Sequence, residues 1–206
     1  MLAGVVRTRL PMRVIAGTFR SRTLQAPAGL ATRPTSDRLR ETLFNVLAAK
    51  VAGSRFLDLY AGSGAVGIEA LSRGAERVVF VERAQAAIRV LRANLAHLEL
   101  TRGFEVVAGS VSGFLRGKES GARFDLVFLD PPYDAAGEYA LSLGLLGGEA
   151  AGLLSEGAVV VAEQRRKEKL VDRYGTLRRT RLLEQGDAGL SFYAAIGSEE
   201  TEGESF

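Results

Sequence analysis

Asp130-Pro131-Pro132-Tyr133 is the stretch of this chain whose residue types and order most directly suggest chemistry. Two prolines in series lock the backbone and push the preceding residue into an extended conformation. The product is a stiff loop that presents Asp130, the Pro131 carbonyl and the Tyr133 ring to one point. An exocyclic base amine needs such a site, because its lone pair is delocalised into the ring and it is a poor nucleophile. A carboxylate and a carbonyl can each accept one of its N–H bonds, which draws the nitrogen toward sp³ and aims its lone pair outward. Tyr133 can stack on the base. Attack on an activated methyl group is then an in-line displacement driven mainly by positioning, with Asp130 taking the proton late and no strong base required. The plainer alternative is a Pro-Pro turn carrying a surface tyrosine.

A second motif argues against that alternative. Gly62-Ser-Gly-Ala-Val-Gly67 has the G-x-G-x-x-G spacing, follows an apolar run and opens a helical pattern, the context a nucleotide loop requires. Its glycines permit a tight turn and close approach of the backbone to a ligand. Glu82 ends the next apolar run, 20 residues after Gly62, where an acid can accept from both ribose hydroxyls of an adenosine. A bare match would fit a dinucleotide or S-adenosylmethionine. Asp58, four residues before Gly62, favours the second: it suits an ammonium or sulfonium and would repel a pyrophosphate. It could equally brace the loop by accepting backbone N–H groups, and the two roles are compatible.

These motifs must be held by a regular scaffold, and the chain reads as one from residue 54 onward. Strands are expected at Arg55–Tyr60, Arg77–Glu82, Phe104–Ala108, Phe124–Asp130 and Gly157–Glu163. Helical patterns separate them, running to about Ser72, then over Ala84–Leu98, Val111–Leu115 and Glu138–Leu146. Alternation of this kind predicts an α/β fold with a parallel sheet and right-handed crossovers, and ligands bind such sheets at the carboxyl ends of the strands. Tyr174–Leu183 and Leu190–Ile196 read as two strands joined by a hairpin. Upstream, Arg13–Leu24 reads as a hairpin around Gly17. Thr32–Asp37 opens a helix reaching about Lys50, with Thr35, Ser36 or Asp37 as N-cap. Residues 197–206 are acidic and polar, a composition expected to be disordered.

Composition sets outer limits. The chain has 206 residues, nearly half of them hydrophobic, with no cysteine and one histidine, so disulfides are excluded and no metal is expected. No apolar run approaches a membrane span, and the first residues lack a signal-peptide pattern, so a cytoplasmic protein without membrane contact is expected. The net charge of +3 is unevenly spread. Residues 1–50 carry nine Lys or Arg against two acids, a net +7, which leaves −4 for the other 156 residues. A basic arm on a mildly acidic body suits a polyanion, although an arginine-rich solvated surface would look the same.

The motifs together resemble class I methyltransferases of the amino group type, which carry Asp, Asn or Ser, two prolines and an aromatic. The likeness extends to Arg13-Val-Ile-Ala-Gly17, Thr32–Leu47, Asp58–Ala75 and Phe128–Tyr133, which resemble the RsmD family of 16S ribosomal RNA (guanine-N2)-methyltransferases, acting on guanine 966 in the family's rRNA numbering. The likeness spans about residues 12–196. It implies a Rossmann-like class I methyltransferase fold: a seven-stranded, mostly parallel sheet with an antiparallel last strand, preceded by a small hairpin extension over residues 1–31, with the methyltransferase domain over 32–196. It implies a monomer acting on 16S ribosomal RNA in the 30S subunit or its assembly intermediate. Arg13, Arg20, Arg22, Arg33, Thr35 and Arg38 would face the RNA. Asp130, Pro131, Pro132 and Tyr133 would be catalytic. Asp58, Tyr60, Ala61, Gly62, Ser63, Gly64, Gly67, Glu82, Arg83, Ser110 and Asp130 would hold S-adenosylmethionine. Two departures stand out. Residues 1–11 precede the family's usual start, which makes Met12 a candidate initiator. At Ala108-Gly-Ser110 related enzymes often place an acid or amide near the adenine amine, where this chain offers only Ser110 and backbone.

Three rival readings use the same residues. An adenine-N6 methyltransferase shares the Asp130–Tyr133 chemistry and is opposed only by the N-terminal block. An NAD-dependent oxidoreductase would need a hydride-transfer site that is not visible. A non-catalytic RNA-binding module would have no use for Asp130–Tyr133. Other conspicuous residues are assigned to structure: His97 to an exposed helix end, Arg165–Lys169 to a solvated face, Phe44 and Phe128 to the core, and Glu69 and Glu76 to the surface or helix capping.

Overall fold

Phe56-Leu57, Val78–Val81 and Leu126–Leu129 are continuous apolar runs, which only a sheet covered on both faces can bury. The computed structural model, which describes residues 12–26, 36–117, 123–132 and 137–196, is organised in that way. Five parallel strands, β1 (Arg55–Leu59), β2 (Arg77–Glu82), β3 (Phe104–Ala108), β4 (Phe124–Leu129) and β5 (Leu154–Arg165), are joined by β6 (Arg173–Tyr174), β7 (Leu177–Gln185) and β8 (Ala188–Ala195). The sheet order is β3-β2-β1-β4-β5-β8-β7-β6. The order reverses direction between β1 and β4, so the topological switch point, where such sheets bind ligands, lies between these strands.

Helices cover the two faces unequally. On one side α1 (Asp37–Val51), α2 (Ala65–Ser72) and α3 (Gln85–His97) pack Leu43, Phe44, Ile68 and Leu91 onto Phe56, Phe80 and Phe128. On the other, α4 (Val111–Gly117) and α5 (Glu138–Leu146) pack Phe114, Leu143 and Leu146 onto Leu57, Val79 and Val127. At roughly 25 cal/mol per Å² of apolar surface removed from water, these two layers supply the dominant folding force. Ser36 caps α1 by accepting from the Leu39 N–H at 3.1 Å. Among the described residues no helix is long and apolar enough to cross a membrane.

Three expectations are corrected. The sheet has eight strands, not seven. The long final strand, β8, is antiparallel to both β5 and β7, but the run read as one strand from Tyr174 is divided. Gly175 turns there with φ +57, and a Cβ on it would lie 2.2 Å from the Gly147 carbonyl oxygen, so the chain must bend and leaves β6 as a two-residue edge. The Arg13–Leu24 hairpin forms but is shorter than two regular strands: it has one antiparallel bridge, Arg13 to Thr23, and the Val14, Ser21 and Leu24 N–H groups bond the Arg22, Val14 and Met12 carbonyls at 2.9, 2.8 and 2.8 Å. Other donors turn to α2: the Ile15 and Ala16 N–H groups bond the Glu69 carboxylate at 2.8 and 3.0 Å, and the Thr18 and Phe19 N–H groups bond Ser72. Glu69 is accordingly not a surface residue but fully buried. It also accepts from Arg73 Nε at 2.7 Å and lies 3.8 Å from Arg40 Nε. Arg40 is buried and donates to the Arg13 carbonyl and to Asp37. Met12, Val14 and Leu24 belong to the same core as α1 and α2. Residues 12–26 are therefore built into the body.

Candidate active site

The glycine loop turns on three positive φ angles. Tyr60 (φ +62), Gly62 (φ +55) and Gly64 (φ +80) carry the chain from β1 into α2. Gly64 and Gly67 are also required by packing: a Cβ would lie 2.2 Å from Leu91 at the first and 2.3 Å from Phe80 at the second. At Gly62 the same Cβ would meet nothing nearer than 3.9 Å. The backbone there faces open space and can be approached by a ligand.

Two carboxylates hold the loop. Asp58, buried inside β1, accepts from the Gly67 N–H at 2.9 Å. Glu82, at the end of β2, accepts from the Gly62 N–H at 2.9 Å and the Ala84 N–H at 2.7 Å. The bracing role of Asp58 is thus realised, and its remaining oxygen leaves acceptor capacity for a ligand cation. Burial raises the Asp58 carboxyl to about 8, with the Gly67 N–H opposing and the Glu82 charge adding to the shift. These donors and acceptors fit an adenosine cofactor: open loop backbone, a carboxylate at the end of the second strand, and an acid inside the first.

Asp130 follows β4 directly and is half-buried, with Pro131 buried and Pro132 exposed behind it. Burial raises its carboxyl well above the usual range, and the charges of Glu163 and Asp58 raise it further. Strand register explains these neighbours. Asp58 pairs with Phe128, and Leu129 pairs with Ala162, so Asp58, Asp130 and Glu163 project from the same face of three adjacent strands. Tyr133, Arg33 and Thr35, with residues 1–11 and the 197–206 tail, lie outside the described residues.

The far side of the Asp130 loop is also anchored. Tyr60 directs its ring away from the loop face, and its hydroxyl bonds Glu138 at 2.6 Å and Ser142 at 2.7 Å on α5. Tyr139 donates to the Glu163 carbonyl at 2.8 Å. The first turn of α5 is thereby tied to the ends of β1 and β5. Only the backbone of Tyr60 faces the loop. The Ser63 carbonyl accepts from the Asn94 side-chain amide at 2.9 Å, and the Ser63 hydroxyl donates to the Met12 sulfur at 3.8 Å. Ala61 bonds the Val81 carbonyl at 3.0 Å. Arg83 is exposed nearby, and Ser110 is exposed with its hydroxyl accepting from the Gly113 N–H at 3.1 Å.

Among the basic residues, Arg20 and Arg38 are exposed. Arg22 donates to the His97 carbonyl at 2.6 Å, and Arg13 pairs with Asp37 at 3.5 Å. His97 is exposed and Phe44 and Phe128 are buried, as expected.

Sequence reasoning missed Glu163 and Asn94. Glu163 ends the apolar run of β5, two residues before the strand itself ends, the same signal that drew attention to Glu82 and Asp130. Buried Asn94 bonds both the N–H and the carbonyl of Gln25, at 2.8 and 3.0 Å, as well as Ser63. Nothing in the pattern of α3 marks it apart from a polar residue on the buried stripe.

A glycine loop at the switch point with an acid-Pro-Pro turn one strand away is the arrangement of a Rossmann-like class I methyltransferase. Residues 12–194 match the family described as Conserved hypothetical protein 95. YlbH of Bacillus subtilis is 41% identical over 189 residues, covering 90% of this chain and all of that one. Ribosomal RNA small subunit methyltransferase D of Haemophilus influenzae is 42% identical over 134 residues, 64% of this chain and 69% of that one. The solved structure of yhhF from Escherichia coli superposes with a TM-score of 0.78 at 32% identity, covering 90% and 98% of the two chains. The chain belongs to this family, the RsmD-family methyltransferases.

Proposed function

We propose that the protein transfers a methyl group from S-adenosylmethionine to the exocyclic N2 of a guanine, of the guanine 966 type, in 16S ribosomal RNA of the small subunit. One observation carries the reading: half-buried Asp130, stiffened by Pro131 and Pro132, stands beside the switch point on the same face as Asp58. The small-subunit assignment rests on the family and on the name of its Haemophilus influenzae relative. When bound, S-adenosylmethionine supplies an electrophilic methyl on a sulfonium.

Glu82 takes the ribose hydroxyls while the loop backbone at Gly62 and Gly64 lies against the nucleoside. Asp58 faces the ammonium. The target base is flipped into the pocket, at a cost of a few kcal/mol. Asp130 and the Pro131 carbonyl each accept an N2–H, and Tyr133 stacks on the ring. Methyl transfer makes N2 cationic, and its proton passes to Asp130 or water. Arg20 and Arg38, with Arg13, Arg22, Arg33 and Thr35, contact phosphates and set register without reading sequence.

Methyl transfer from labelled cofactor to undermethylated 30S subunits, naked 16S RNA and DNA, followed by nucleoside analysis, tests this. N2-methylguanosine is expected, with a rate lower by about 10²–10³-fold in Asp130→Asn. N6-methyladenine would keep the Asp130 chemistry and overturn the choice of base. Arg20→Ala and Arg38→Ala should each weaken RNA binding and reduce its salt slope by about one.

A further inference from the structure

We propose that Glu163 selects the base, by accepting the N1–H of the target guanine while Asp130 and the Pro131 carbonyl hold N2. The inference rests on the guanine-N2 reading above and names the residue that would enforce it.

The argument begins with strand register. Leu129 of β4 pairs with Ala162 of β5, so the next residues, Asp130 and Glu163, stand side by side at the carboxyl edge. Phe128 and Val161, two residues before each, belong to the core layer beneath α1 and α2, as does Leu190, which pairs with Glu163 from β8. Asp130 and Glu163 therefore share the face that carries Asp58 and the glycine loop. Neighbouring strands are about 4.8 Å apart, a spacing that two flexible carboxyl side chains close onto adjacent atoms of one base edge.

The second argument is the donor count of that edge. Guanine presents three N–H donors in a row, two on N2 and one on N1. Asp130 and the Pro131 carbonyl match two. The third requires another acceptor beside Asp130, and Glu163 occupies that position. Adenine presents two N–H donors on N6 but a bare acceptor at N1, which a carboxylate repels. The pair of acids thus suits one purine and opposes the other.

The third argument is the cost of the arrangement. Glu163 is 4% exposed, and its charge helps drive the Asp130 carboxyl upward. Acids brought together at a partly buried edge, one of them with a raised carboxyl, concentrate at functional sites. A carboxylate has about four acceptor sites, so Glu163 can take a base N–H alongside the contacts it makes within the protein.

The test uses the full chain with 30S particles whose target guanine is either retained or replaced by 2-aminopurine, which keeps the 2-amino group and lacks N1–H. Wild-type protein should methylate guanine at least about 100-fold faster than 2-aminopurine, as expected of a site built to bond a missing N–H. In Glu163→Gln that preference should shrink to within about 10-fold, with cofactor affinity unchanged, and in Glu163→Asp, which keeps the carboxylate, most of it should survive. Equal preference in wild type and Glu163→Gln overturns the proposal. If Glu163→Gln fails to fold, the wild-type comparison decides: equal rates on guanine and 2-aminopurine overturn the role for N1–H. Failure of the parent reading is separate, because wild type would then yield no N2-methylguanosine from the unmodified particle.

Discussion

Two places in this protein bury acidic side chains, and they treat them in opposite ways. At Glu69, on α2, the carboxylate is surrounded by donors: the Ile15 and Ala16 N–H groups at 2.8 and 3.0 Å, Arg73 at 2.7 Å and Arg40 at 3.8 Å. Arg73 in turn lies 5.0 Å from the centre of the Phe44 ring. At the carboxyl edge of the sheet, Asp58, Asp130 and Glu163 face one another. Of these, Asp58 is given one backbone N–H, and burial and like charge push Asp58 and Asp130 upward. The first arrangement gives its carboxylate donors from within the fold and joins residues 12–26 to the body. The second leaves the Asp58 and Asp130 carboxyls raised, a setting that favours an incoming cation or N–H donor. Burial alone does not mark a functional acid. What marks it is whether the fold itself supplies the opposite charge.

The sharpest way to break the comparison is to remove Glu69. Glu69→Ala leaves Arg40 buried and Arg73 without its acid partner and strips two backbone donors of their acceptor, so unfolding in urea should show a loss of about 3–5 kcal/mol. A loss below about 1 kcal/mol would mean that the junction is ornamental.

Next in size is the pH response of the opposite cluster. The Asp58 carboxyl rises from 3.8 to about 8 on folding, so between roughly pH 4 and pH 8 the folded state holds a proton that the unfolded state releases. The stability contributed by the neutral form is complete below about pH 4 and is lost as pH rises toward 8, by a few kcal/mol at most. The thermal midpoint of the cofactor-free protein should fall across that window. Asp58→Asn should flatten the fall, and S-adenosylmethionine should reduce it by supplying a cation.

The smallest effect is expected at Tyr60. Tyr60→Phe removes the hydroxyl that binds Glu138 and Ser142, a loss of about 1 kcal/mol. It should appear as faster amide exchange in the first turn of α5 rather than as a change in the glycine loop.

How much of this was legible beforehand differs between the same two places. Period and spacing placed the strands within a few residues, because runs such as Val78–Val81 have no alternative to a doubly covered sheet. The spacing of Asp58, Gly62, Gly67 and Glu82 is local, and the structure brings these residues to one loop. Glu163 was not singled out, because it becomes a neighbour of Asp130 only through the β4–β5 register. Glu69 was misplaced on the surface because its partners Ile15 and Ala16 are more than fifty residues away. The hairpin is shorter than its sequence suggests for the same reason: three backbone bonds close it, while the Ile15, Ala16, Thr18 and Phe19 N–H groups bond α2. The break at Gly175 depends on the Gly147 backbone, which the run around Tyr174 gives no hint of.

The clasp between residues 12–26 and the body has a consequence for how the chain is made. Ile15, Phe19, Arg22 and Gln25 find their partners at Glu69, Ser72, His97 and Asn94, 53 to 75 residues later. At about 5–20 residues per second, the segment waits several seconds on the ribosome before the helices that seat it have been synthesised. The first part of the described chain to leave the exit tunnel thus settles only after α2 and α3 have followed it. Once α3 is complete, the same few bonds seat the arm and the glycine loop together, so the two are finished in a single step.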